Sequence, residues 1–160
     1  MILRVFFLIA ALGLTVSTFA QTTNPAPAAI KQVAAAIKHF YIHDQTKFTV
    51  GNLTVNTADK EAKQLLATLQ ADGSWPDIDY ASRDRSAWPA AKHGNRILQL
   101  VIAADRAADG ERARILNGVH RAFGFWISHD FKCPNWWFNN IGVPKTFATA
   151  AVLMGNELLP

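Results

Sequence analysis

Two tryptophans in succession, Trp136 and Trp137, stand in the stretch NWWFNN, with Asn135 before them and Asn139 and Asn140 after. An indole is a large flat apolar face with one donor at its edge. A sugar ring presents an apolar C–H face that stacks on such a surface, and asparagine amides offer hydroxyls both a donor and an acceptor. On an extended backbone, neighbouring side chains point to opposite sides. At least one indole is then expected to face solvent or a groove. The competing reading is that both rings fill the interior, since tryptophan is highly buried on average. Asn135, Trp136 and Trp137 are the candidate substrate-binding residues.

Other residues with chemical capacity form weaker patterns. Asp77 and Asp79 alternate, with Asp84 close by, in the run DGSWPDIDYASRDRSAW. Three carboxylates suit a cation, but the run has no glycine-centred loop and no closing glutamate. Local Asx turns and pairing with Arg83 or Arg85 are the expectation instead. His39 and His43 lie one helical turn apart, a spacing that binds zinc. They fall at a helix end before Asp44, which reads as a solvated terminus. His93, His120 and His129 show no companion in the sequence. Cys133 is the single cysteine, so no internal disulfide forms, and its neighbours suggest a buried thiol. No glycine-rich phosphate loop, nucleophile elbow or Cys/His metal pattern is present. No metal site and no cofactor are expected.

These residues must be positioned by helices. Pro25 and Pro27 discourage helix until Ala28, after which Ile30, Val33, Ile37, Phe40 and Tyr41 recur at helical spacing. Ala62, Leu65, Leu66 and Leu69 form a second apolar face, with Thr57 as its expected N-cap. A third helix is predicted from about Ala90 to Ala108, carrying Ile97, Leu98, Val101, Ile102 and Ala104. Gly110 is expected to break it. A fourth presents Ile115, Leu116, Val119, Phe123, Trp126 and Ile127. A fifth starts near Pro144, which suits a first helical position, with Gly142 and Pro144 expected to turn the chain back into it, and continues through Phe147, Ala150, Ala151, Met154 and Leu158. The loop between the second and third helices is long enough to suggest a packed or functional unit. FTVGNLTV, Phe48 to Val55, is the one strand-like stretch and reads as a loop or a short extended piece. The predicted fold class is all-α, built of antiparallel helical hairpins.

The 160 residues are half apolar and 18% charged, an ordinary globular composition. Residues 1–20, MILRVFFLIAALGLTVSTFA, read as a secretory signal peptide: Arg4, an apolar run, then small residues one and three places before a cut. The alternative is a retained anchor, although the run is short for a membrane span. Removal takes one charge from the formal +4 and leaves a single domain of about 140 residues, 21–160. The remaining basic excess favours an acidic partner but is too sparse for nucleic acid. No membrane association is expected after signal removal, and the destination is secreted or periplasmic. The last helix ends near Pro160 with a broad apolar face, which suggests that the natural protein continues.

Two segments together, DGSWPDIDYASRDRSAWPAAKH (Asp72 to His93) and NWWFNNIGVPKT (Asn135 to Thr146), resemble the N-terminal helical domain of polysaccharide lyase family 8. That family includes hyaluronate, chondroitin AC and xanthan lyases. The resemblance implies part of an incomplete α/α toroid, with further toroid and β-domains packing on it. It implies β-elimination at a uronic acid of an acidic polysaccharide, using Asn, His, Tyr and Arg groups. Those groups would come after Pro160, so no catalytic residue is assigned in this chain. Asn135, Trp136 and Trp137 match the family's aromatic patch. The sequence departs at Asn140, where family members often carry an acid. The alternative is a non-catalytic carbohydrate-binding helical module. QADGSW also resembles a terpenoid-cyclase repeat, but its Gln70 to Gly73 spacing is one residue short and no Asp-rich motif follows.

Overall fold

The computed structural model describes residues 26–43, 49–50, 53–54 and 58–158. The predicted signal peptide 1–20 and the Thr57 cap lie outside them. Helices α1 (Ala26–His43), α2 (Ala58–Thr68), α3 (Ala91–Arg106), α4 (Asp109–His129) and α5 (Val143–Met154) form a bundle of helical hairpins. A short 3₁₀ turn, Gly155–Glu157, follows α5. Within FTVGNLTV, the extended pieces β1 (Thr49–Val50) and β2 (Leu53–Thr54) pair antiparallel.

Helix α3 is the hub, packing on α2, α4, α5 and α1. Its residues from Ile97 to Ala104 are all buried, as expected of a helix that is apolar almost all round. Against it lie Ala62 and Leu69, then Ile115, Val119 and Ala122 of α4, and Ala150, Leu153 and Met154 of α5. Burying each large aliphatic side chain contributes about 1.5–3 kcal/mol. Arg112 ties the hairpin to the end of the chain, pairing with Glu157 and donating to the Ala104 carbonyl at 2.7 Å.

Several boundaries differ from the sequence reading. The break between α3 and α4 comes at Ala107 and Ala108, both extended, with ψ of 151° and 157°. Gly110 is helical, inside the first turn of α4, where Asp109 and Glu111 complement the positive helix end. Ile127 is 72% exposed. It sits twelve residues beyond Ile115, which rotates it about 120° off that buried line. The predicted α1 stripe is split: Ile37 and Tyr41 pack on the core, while Ile30 and Val33 are 67% and 58% exposed, and Ile42, outside that stripe, is buried.

The largest correction concerns the stretch that holds the site. Trp136 and Trp137 are helical, not extended. They open one continuous run that passes through a π turn, Phe138–Gly142, into α5. Gly142 has φ −61° and ψ −58°, so Gly142 and Pro144 do not turn the chain back. Pro144 lacks an N–H, and its ring crowds the carbonyl four residues earlier. The wider π turn relieves that crowding, with Val143 N–H bonding Phe138 O five residues back. The reversal occurs earlier, at Asp130, which ends α4 with φ 45° and ψ 50°. Aspartate is among the few residues that tolerate this conformation.

Candidate functional site

The loop between α2 and α3 is a packed unit, and its Arg85 carbonyl is bonded by Asn135 at the start of the tryptophan-bearing run. Its first turn closes through Gly73 N–H to Gln70 O at 3.0 Å, and Asp72 Oδ1 accepts the Ser74 N–H at 2.9 Å. Gly73 has φ +93°, and a Cβ there would lie 2.2 Å from the Arg121 carbonyl oxygen of α4. Only glycine permits that approach. Trp75 is fully buried, donates from Nε1 to Leu65 O at 3.0 Å, and lies under the Arg96 guanidinium at 5.3 Å.

His93 locks this loop to α4. Its Nε2 is 2.8 Å from the Ala122 carbonyl, which only accepts, so Nε2 carries the proton. Nδ1 therefore accepts from the Tyr80 hydroxyl at 2.9 Å, and that hydroxyl oxygen accepts the Trp75 N–H at 3.1 Å. Burial pushes the His93 imidazole down to about 4, with the nearby Arg96 charge adding to the effect. Burial likewise raises the Tyr80 phenol. The pair is a neutral, satisfied core network. Sequence reading missed it, because the partners lie 13 and 29 residues away. His120 also has a partner, donating to Glu157 O at 2.7 Å, as does His129, whose ring stacks on Phe131.

The three aspartates hold turns and an ion pair. Asp79 Oδ1 accepts the Ala81 N–H, and Asp84 Oδ1 accepts from Ser86 and Ala87 N–H, which lowers the Asp84 carboxyl. Asp77 pairs with Arg96 rather than with Arg83 or Arg85, and that bond holds its carboxyl low. The His39 and His43 rings lie 5.2 Å apart on α1. No group of three metal-ligand side chains occurs among the described residues.

A second, smaller core of Trp88, Ala90 and Cys133 supports the tryptophan pair, with Trp126, Phe131 and Phe138 packed on it. Asn139 pairs with the Cys133 peptide, accepting its N–H at 2.9 Å and donating to its carbonyl at 2.8 Å. Asn135 is the N-cap of the following helical run: Oδ1 accepts the Trp137 N–H at 3.0 Å. Its Nδ2 donates to Arg85 O at 2.8 Å, clamping the SRDRS loop beside the cap. Most of the Asn135 amide is thus engaged within the chain. What remains for a ligand is one N–H and one lone pair.

Trp136 and Trp137 are 62% and 45% exposed. The outer ring of Trp137 lies over Gly142, where a Cβ would come within 2.5 Å of it. Trp137 forms one wall of a groove of about 330 Å³ between α1, α3 and α5. Tyr41 of α1, Asn95 of α3 and Lys145 of α5 also line it. An apolar groove with a few convergent polar groups is the usual form of a small-ligand site. Lys145 was legible in the sequence only as part of the NWWFNNIGVPKT segment. Tyr41 was legible only as part of the apolar face of α1, and Asn95 carried no signal.

The family described as polysaccharide lyase family 8, N-terminal alpha-helical domain, matches residues 35–160. Chondroitinase-AC of Pedobacter heparinus is 33% identical over 99 residues, covering 60% of this chain and 14% of that protein. A solved structure of chondroitinase AC lyase, from work on enzyme–oligosaccharide complexes, superposes with a TM-score of 0.59 at 26% identity. It covers 76% of this chain and 18% of that one. The chain therefore spans less than a fifth of either relative. By the extent of the family match, the chain belongs to polysaccharide lyase family 8, whose N-terminal α-helical domain it carries.

Proposed function

We propose that this chain is the leading part of an exported polysaccharide lyase that cleaves a uronic-acid-containing polymer by β-elimination. Its indole pair supplies the shelf on which the sugar chain lies. The observation that carries this reading is the exposure of Trp136 and Trp137, the second of them at a groove, on a chain of this family. The helical hairpins would form part of an α/α toroid, completed by further helices and β-domains. Export rests on the apolar leader of residues 1–20.

The elimination needs three groups. One neutralises the carboxylate beside C5, so that the C5 proton becomes acidic. A base removes that proton as the C4–O bond breaks and a C4–C5 double bond forms. An acid returns a proton to the departing oxygen. Tyr80 and His93 are not promoted to these roles, because their hydrogen-bonding atoms face each other and the backbone. This chain's part is to bind and orient the polymer.

The test uses the 160-residue protein with hyaluronan and chondroitin oligosaccharides. Weak binding is expected, without the ultraviolet absorbance of an unsaturated uronate product. Trp136→Ala and Trp137→Ala are each expected to weaken binding about tenfold. Strong product absorbance from this chain would overturn the placement of catalysis elsewhere. Wild-type affinity in both variants would overturn the shelf. The alternative, a non-catalytic carbohydrate-binding helical module, shares the shelf. A downstream reading frame without Asn, His and Tyr would favour it.

A further inference from the structure

The helical run from Trp136 into α5 serves two cores and a groove. Phe138 packs on the smaller core, its ring 5.8 Å from that of Trp88. Ala150, Leu153 and Met154, further along the run, face the main core. Trp137 and Thr149 line the same groove. In an unbroken α-helix, the twelve residues between Trp137 and Thr149 would set them about 120° apart. The π turn adds one residue to the run, because its bond from Val143 N–H to Phe138 O spans five residues in place of four. Once that residue's rotation is absorbed, Trp137 and Thr149 stand about 20° apart. The same shift brings Phe138 close to the buried line of Ala150.

Two features hold the π turn. Pro144 has no N–H to give the Asn140 carbonyl, the bond that a regular α-helix would make there. The Asn139 amide grips the Cys133 peptide at both its N–H and its carbonyl, which fixes the turn against the segment that precedes the run. We propose that the extra residue of this turn aims Trp137 into the groove, with Asn139 as the positioning residue that holds the turn in place. Without the extra residue, Trp137 rotates about 100° relative to α5. Its ring then leaves Gly142, over which it now lies. The consequence for glycan binding rests on the reading of the indole pair as a shelf, whereas the aiming is a matter of helix geometry alone.

The test separates the number of residues in the turn from their identity. Deletion of Asn140 is compared with Asn140→Ala, Asn139→Ala and Trp137→Ala. Three quantities are measured: the nuclear Overhauser contact between the Trp137 ring and the Gly142 α-protons, affinity for hyaluronan oligosaccharides, and thermal melting. Deletion of Asn140 is expected to abolish the contact and to weaken binding about tenfold, as Trp137→Ala does, while melting stays cooperative. Asn140→Ala keeps the residue count and is expected to keep both contact and affinity. Asn139→Ala is expected to weaken the contact and to lower affinity about threefold. The proposal is overturned if the deletion retains contact and affinity, or if Asn140→Ala loses as much as the deletion does. Should the deletion fail to melt cooperatively, Asn139→Ala decides, and a wild-type contact in that variant overturns the proposal. If Trp137→Ala binds like wild type, the shelf reading fails, and the contact measurement alone then supports or overturns the aiming.

Discussion

At the residue scale, Gly142 and Gly73 are both held to hydrogen by close neighbours, yet the neighbours differ in kind. Beneath the half-exposed Trp137 ring, a methyl at Gly142 meets a side chain that is free to swing outward. Gly142→Ala gains up to about 1 kcal/mol of helix propensity. It is expected to leave thermal stability unchanged or slightly higher while weakening glycan binding, because the indole loses its resting place. Paired melting and titration measurements check both halves. At Gly73 the obstacle is the α4 backbone itself, and φ is positive. Gly73→Ala is expected to cost on the order of 3 kcal/mol in chemical denaturation.

At the element scale, the site depends on where one helix begins. Asn135 caps that run and clamps the loop at Arg85, so one side chain fixes two backbones. Asn135→Ala is expected to destabilise the protein by about 1–2 kcal/mol and to weaken glycan binding through disorder of the indoles. Asn135→Asp, which keeps the cap oxygen but not the Nδ2 donor, should restore part of the stability. Helical spacing made the five helices legible, together with the buried lines through Ile97 and Ile115. It did not show that Trp136 and Trp137 are helical. A Gly and a Pro after the pair look like a chain reversal, whereas here Gly142 ends a π turn and Pro144 sits in the first turn of α5, so the helix continues. The loop from Gln70 to Pro89 was recognisable as a packed unit. Its contacts were not, because Gly73 meets α4, Trp75 meets α2 and Tyr80 meets His93 across long sequence gaps.

At the scale of the whole molecule, stability and surface follow from the same arrangement. His93 is fully buried and neutral, with its affinity for a proton lowered to about 4 from the usual 6.5. The unfolded chain takes up that proton first, so stability falls as pH drops from about 6.5 toward 4 and the His93 contribution is flat below that. The loss attached to this one group is on the order of 3 kcal/mol. Denaturation midpoints measured between pH 7 and 4.5 are expected to fall, and His93→Gln should flatten the slope in that window. Asp77, whose carboxyl is held low by Arg96, adds a loss only at lower pH. The exposed Ile30 and Val33 of α1 give the molecule an apolar flank. On the proposed reading, further helices of a toroid cover it.

On the proposed reading the exposed indoles, and not the buried ones, meet the saccharide. The most direct measurement is a titration of the protein with hyaluronan oligosaccharides, followed through the assigned indole Nε1–H resonances of its five tryptophans. Trp136 and Trp137 are expected to shift progressively, while Trp75 and Trp88, whose Nε1–H groups bond to Leu65 O and Ser82 O, stay in place. Saturable binding that leaves Trp136 and Trp137 unmoved would contradict the account.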